Sequence, residues 1–319
     1  MPLRPAALGP NATIGIVSPS SPTVRESDFL RLEQWCARHE FRMKLFDAAE
    51  ERWAYLAGSD EARAADVTAA FADPEVDMVL TMRGGTGGWR MASLIDCDVV
   101  RANPKLFSGY SDTTAMHLVL GKDADLVTLY GAAGSSLIGR NPSAYTEQHF
   151  LRAIRSTEPL GDVERDPDDG FTWAIRGGVA EGTLRGGCLT LLVNSLGTPW
   201  QVDWRDSIVF FEDVGEEPYR LDNYLTQLRL AGAWTGVAGV VVGEHVDCGP
   251  KAFRPGYPYG TFSAEDIFRQ HLEPLGVPVM VGLPCGHGRH LASLPLGVAA
   301  RLDADACTLT LLEPATTPA

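Results

Sequence analysis

Residues 76–120, VDMVLTMRGGTGGWRMASLIDCDVVRANPKLFSGYSDTTAMHLVL, hold two strand–loop–helix units in succession, and their reading decides the fold. Val76–Met82 is an apolar, β-branched run of strand length. The loop RGGTGG follows at 83–88, and a short helix fits WRMASLID. Leu106–Tyr110 reads as another buried strand, and a helical pattern opens directly after Ser111. A hydroxyl at that corner is either a helix cap, with Asp112 favourable beside the helix dipole, or a nucleophile held out of the fold. The hydrolase corner G-x-S-x-G is only half matched, because Thr113 stands where the second glycine belongs.

The same alternation extends outward. ATIGIVSPSS is a buried strand ending in a polar turn. Glu26–His39 places Phe29, Leu30, Leu32, Trp35 and Cys36 at helical spacing. FRMKLF is a second strand, Ser59 an N-cap for the Ala-rich helix DEARAADVTAAFAD, and DLVTLYG a fifth strand. Strands alternating with helices predict an α/β fold with a doubly wound parallel sheet. Such sheets bind ligands at the carboxyl ends of their strands, where both RGGTGG and GYSD fall. Residues 139–182 turn polar and turn-rich. The expected organisation is therefore an N-terminal domain over 1–140, a connection over 141–182 and a C-terminal domain over 183–319. SIVFFED, VAGVVVGEH, VPVMVGLP, LGVAARLD and CTLTLLEP make that second domain strand-rich, with PYRLDNYLTQLRLAG as an amphipathic helix, so it is mixed α/β.

The totals narrow the function. The chain has 319 residues, 45% hydrophobic and 21% charged, as in ordinary soluble proteins. A formal net charge of −14 repels a phosphate backbone, so nucleic acid is not an expected partner. Six cysteines without CxxC pairing fit a reducing compartment. The N-terminal stretch has no apolar segment like a signal peptide, and no run approaches bilayer length. A cytoplasmic protein with no membrane partner is expected.

A serine nucleophile needs a base, most often histidine. His39, His149 and His271 fall on helices, and His117 shares the helix after Ser111. His245 ends a strand. His287, flanked by glycines in LPCGHGRH, suits a ring close to backbone, with His290 a less constrained neighbour. Glu212 and Asp213 follow an apolar run and point to opposite faces of their strand, so one can orient the base while the other is solvated or caps the helix starting near Pro218. Gly84, Gly85, Gly87 and Gly88 permit close backbone approach, as an oxyanion hole requires. A phosphate cradle is the rival reading, but GxxxxGK[ST] and GxGxxG are absent. Arg83 and Arg90 flank the loop and are either carboxylate clamps or solvated cations. Cys285, His287 and His290 lie close in sequence, as do His245 and Cys248, but with no zinc-site spacing, so neither metal nor cofactor is expected.

Taken together, RGGTGGWR, NPKLFSGYSDTT, VTLYG, GGCLTLL, FFEDVGEEPYRLDNYLTQLRLAG and VMVGLPCGHGRHLASLPLG resemble the LD-carboxypeptidase family of serine peptidases, which also contains the microcin C self-immunity proteins. The resemblance runs over most of the chain. It implies a Ser-Glu-His triad of Ser111, Glu212 and His287, the serine on the N-terminal domain and the other two on the C-terminal one, with the site between them. The mechanism expected for such a triad has the backbone N–H groups of Asp112 and a loop glycine, Gly85, as the oxyanion hole, with Gly84 and Trp89 about the substrate and either Arg83 or Arg90 receiving its terminal carboxylate. Members are usually cytoplasmic and often homodimeric. The implied reaction releases terminal D-alanine from a murein tetrapeptide by cleaving an L,D amide bond. The alternatives are a microcin-immunity-like amidase that stacks adenine on Trp89 or Trp173, and a non-catalytic nucleotide-binding module. The chain departs from the family pattern at Thr86, where an aromatic residue is usual, and at Cys188, where a GGN-type turn is usual. FFEDVGEEPYRLDNYLTQLRLAG favours the peptidoglycan carboxypeptidase branch.

Overall fold

The computed structural model describes residues 2–139, 142–165, 172–250 and 262–318. Residues 141 and 166–171 of the stretch expected to connect two domains therefore lie outside the described residues. The strands are, in chain order, β1 (Thr13–Val17), β2 (Arg42–Leu45), β3 (Met78–Thr81), β4 (Leu106–Gly109), β5 (Thr128–Tyr130), β6 (Gly161–Asp162), β7 (Trp173–Arg176), β8 (Val179–Cys188), β9 (Ser207–Val214), β10 (Gly239–Val246), β11 (Val279–Gly286), β12 (Leu294–Leu296), β13 (Ala299–Asp303) and β14 (Thr308–Leu311). The chain divides into two compact units. One comprises 1–160, 290–298 and 313–319, and the other 161–289 and 299–312.

The first unit carries a sheet in the order β12-β5-β4-β3-β1-β2. β1 to β5 pair in parallel, and β12 adds an antiparallel edge on β5. β1, β3, β4 and β5 are buried along their whole length, as strands covered on both faces must be. The α/β, doubly wound parallel core read from the sequence is what forms. Its order 2-1-3-4-5 reverses between β1 and β3, and the crevice at such a reversal is where these sheets take ligands. The loops at that switch point are Ser18–Thr23 and Arg83–Gly88. Ser59 caps the helix Asp60–Ala72, its hydroxyl accepting from the Ala62 N–H at 3.2 Å. The helix expected over WRMASLID is shorter, Gly88–Met91 followed by a 3₁₀ turn, and a further helix runs over Cys97–Ala102 with Asp96 as its cap.

The second unit carries a mixed sheet in the order β6-β14-β13-β8-β9-β10-β11-β7. β8 to β11 run parallel at its centre, and antiparallel strands flank them. The ten-residue β8 takes in VAEG, the end of the polar stretch 139–182 that reads as turns. Its glycines serve close approach instead: a Cβ at Gly182 would lie 2.6 Å from the Asp206 carbonyl oxygen, and one at Gly186 would collide with the Phe210 backbone. Among the described residues no helix is long and apolar enough to cross a membrane.

Candidate active site

On the first unit the candidate catalytic group is at the corner after β4. Ser111 has φ 65°, in the left-handed region that L residues with a Cβ rarely adopt. It opens a 3₁₀ turn, Ser111–Thr113, that feeds the helix Thr114–Asp123. The N-cap positions of that turn and helix are Tyr110 and Thr113, so Ser111 occupies neither. Strain of this kind, at a serine between strand and helix, is the mark of a hydroxyl exposed on a sharp turn. Gly109 is what lets the turn close: a Cβ there would meet the Thr113 Cγ2 at 2.8 Å and overlap the Thr81 hydroxyl.

The glycine loop packs directly on this corner. A Cβ at Gly84 would lie 2.8 Å from the Ser111 Cβ and 3.2 Å from its Oγ. One at Gly88 would lie 2.8 Å from the Asp112 carbonyl oxygen. Gly85 takes φ 129° against Ser21, whose hydroxyl accepts from the Thr86 N–H at 3.2 Å. Asp112 is buried, and one of its carboxylate oxygens accepts from the Ser20 hydroxyl at 2.6 Å and from the Gly88 N–H at 2.7 Å. Burial pushes its pKa up, against these two hydrogen bonds and the Arg63 charge. The Asp112 side chain thus ties the two switch-point loops to the serine corner.

Two cations near the loop are committed to structure. Arg63, only 1% exposed, donates to the carbonyls of Pro19 and Gly87, the second at 3.1 Å, and pairs with Asp60. Arg90 forks onto both Asp60 oxygens at 2.8–3.1 Å. Among the described residues, Arg83 reaches the Pro22 carbonyl, at 3.5 Å. Arg63→Met is expected to leave two buried carbonyls short of a donor and to cost about 2–3 kcal/mol in urea unfolding; an unchanged midpoint would show that the carbonyls find other partners.

The second unit carries its own candidate groups, Glu212 and His287. Glu212 on β9 is fully buried, and the His287 Nδ1–H donates to its Oε2 at 2.7 Å. Gly286, with φ 108°, makes the room: a Cβ there would lie 2.5 Å from the Glu212 Cγ. Asp213 points the other way. It is neither solvated nor the cap of the helix Pro218–Leu230: it is buried and accepts from the Thr190 N–H at 2.9 Å and the Thr190 hydroxyl at 2.7 Å, at the start of the helix Leu189–Asn194. Burial pulls the His287 pKa down, but the hydrogen bond to Glu212 and the charges of Glu212 and Asp213 outweigh it, and the pKa is raised.

The remaining histidines have other duties. His245 donates Nδ1–H to the Gly243 carbonyl at 3.1 Å and packs on Phe211 and Phe268, with burial taking its pKa to about 4. His290 bonds the Ser143 hydroxyl at 2.8 Å and His271 bonds Asp222 at 2.7 Å. No cluster of three metal-type ligands occurs among the described residues. Trp89 lies on the short helix Gly88–Met91, and Arg269 stacks over the Trp173 ring at 4.4 Å. Ser20, Ser21 and Arg63 were not singled out from the sequence. SPSSP at the end of a buried strand and an arginine inside an Ala-rich helix were the available signals.

A serine on a strained strand-to-helix corner and a buried glutamate that orients a histidine are the parts of which serine peptidases are made. The chain belongs to the LD-carboxypeptidase family: residues 14–131 match the LD-carboxypeptidase N-terminal domain and residues 181–302 the LD-carboxypeptidase C-terminal domain. It is a serine peptidase of the LD-carboxypeptidase type. A putative carboxypeptidase of Streptomyces coelicolor is 41% identical over 98% of this chain and 97% of its own length. A probable murein peptide carboxypeptidase of Bacillus subtilis is 34% identical over 94% of this chain and 91% of its own. The crystal structure of a muramoyltetrapeptide carboxypeptidase from Oxalobacter formigenes matches with a TM-score of 0.81 at 29% identity, over 97% of this chain and 100% of that one. The microcin immunity protein MccF, in complex with glutamyl sulfamoyl guanosine, shares the fold with a TM-score of 0.90 at 23% identity, over 99% of this chain and 100% of that one.

Proposed function

We propose that this protein removes terminal D-alanine from murein tetrapeptides through an acyl-enzyme on Ser111. The observation that carries the reading is the Glu212–His287 pair, a fully buried carboxylate that fixes Nδ1 of the imidazole as the protonated nitrogen. Nε2 is then the nitrogen that takes the Ser111 proton as Oγ attacks the carbonyl on the L side of the scissile amide. The tetrahedral oxyanion is received by the backbone N–H groups of Asp112 and Gly85, and each such donor is worth about 3 kcal/mol. Collapse breaks the C–N bond. The imidazolium gives its proton to the departing amine of D-alanine, and water then releases the acyl group by the same steps in reverse order. The substrate carboxylate is received by Arg83, since Arg90 is engaged by Asp60. Gly84 and Trp89 line the approach.

The names of the relatives support the substrate class: murein peptide for one and muramoyltetrapeptide for another. Six free thiols suit work in the reducing cytoplasm, and the unit of function is a homodimer. A mixed panel of murein tetrapeptides and aminoacyl sulfamoyl-adenosines, read by mass spectrometry, tests the reading. Tripeptide and free D-alanine are the expected products. Intact tetrapeptides beside a cleaved adenylate mimic would move the protein to the immunity branch, and no turnover of either would remove it from both.

A further inference from the structure

A residue with a Cβ at φ 65° costs about 1 kcal/mol or more over its right-handed form, so the surroundings must hold Ser111 there. Two buried side chains reach this corner, Tyr130 from β5 and His117 from the helix Thr114–Asp123. The Tyr130 phenol oxygen accepts from the Ser111 N–H at 3.1 Å. His117 Nε2 bonds the Gly109 carbonyl at 2.9 Å, and its Nδ1 bonds the Thr128 hydroxyl at 2.9 Å. A carbonyl can only accept, so Nε2 carries the hydrogen and Nδ1 receives the one from Thr128. Thr128 and Tyr130 stand two apart on β5 and so share a face of the sheet. The His117 and Tyr130 rings lie 5.6 Å apart, and neither side chain is accessible. Burial holds the His117 pKa at about 4, which keeps the ring neutral and both its bonds made at ordinary pH.

We infer that Tyr130 and His117 are positioning residues for the nucleophile: Tyr130 holds the amide of Ser111 itself, and His117 holds the carbonyl two residues before it. The inference rests on Ser111 being the attacking group. Neither residue touches substrate. Without the phenol, the Ser111 N–H loses that bond in a part-buried setting and the corner is free to relax out of the left-handed region, which swings Oγ. Displacement of a reacting atom by about 1 Å costs on the order of a hundredfold in rate. Ordinary core packing by the same two rings would instead affect stability alone.

Three variants separate these readings. Tyr130→Phe keeps the ring and deletes the acceptor. His117→Leu deletes both bonds. His117→Gln returns an N–H near the place of Nε2. Each is measured for melting temperature, for kcat and KM on a murein tetrapeptide, and for the rate at which a fluorophosphonate phosphonylates Ser111 with loss of fluoride. For Tyr130→Phe and His117→Leu, kcat and labelling rate are expected to fall together by about ten- to a hundredfold with KM within about twofold, and His117→Gln to recover most of the loss. Labelling and kcat per folded molecule within twofold of the unaltered protein, whatever the melting temperature, would overturn the inference. If Tyr130→Phe does not fold, the two His117 variants decide. An unaltered protein that fails to label at Ser111 would instead remove the nucleophile reading beneath it.

Discussion

Ser111→Ala is expected to leave a folded protein whose release of D-alanine falls by at least about a thousandfold, the scale seen when a triad nucleophile is lost. The side chain is not a helix cap, because neither N-cap position at the corner belongs to it. Alanine inherits the left-handed φ of 65°, so the substitution relieves no strain. Glycine would relieve it: Ser111→Gly is expected to be equally inactive but more stable than Ser111→Ala by about 1 kcal/mol in urea unfolding. Turnover by either variant near that of the unaltered protein would take Ser111 out of the chemistry. Equal stability of the two would mean that the corner is not strained.

Glu212→Gln is expected to lower kcat by about 10³–10⁴-fold, because an amide no longer dictates the tautomer or stabilises the imidazolium. The effect on pH dependence has a definite sign. In the folded protein the His287 pKa lies above the ordinary 6.5, since the Glu212 hydrogen bond and the Glu212 and Asp213 charges outweigh desolvation. A general base must be neutral, so kcat/KM rises with pH through that elevated value. Glu212→Gln deletes the largest of the raising influences, and the acid limb must move to lower pH. Linkage makes a matching statement about stability: the pair's contribution is complete below the unfolded histidine pKa and disappears as pH climbs through the folded one. An acid limb that stays in place in Glu212→Gln would assign it to another group.

Much of this was legible because buried parallel strands and glycine loops are local signals. VDMVLTM and LFSGY could only be covered strands, and the polar loops after them had to fall at their carboxyl ends. Glu212 and His287 could be paired in advance only through the family resemblance; the structure gives the reason in Gly286, which clears space for the carboxylate. Other features were hidden for definite reasons. In β8, Gly182 and Gly186 imitate turns because strand neighbours press too close for a Cβ. Tyr130 and His117 read as core residues, and their bonds to the serine corner depend on which strand lies beside which. Arg90 looked available until Asp60 appeared opposite it, thirty residues earlier in the chain.

The edge strand β12 bears on how the molecule is made. β5 emerges early during synthesis, yet its outer hydrogen bonds go to Leu294–Leu296, and Ala6 bridges to Thr317. The sheet that is translated first is therefore completed only by a strand made after β6 to β11. Until Leu294–Leu296 have been made, the parallel sheet waits with the outer side of β5 unpaired by β12, the state in which nascent chains most readily pair with the wrong neighbour.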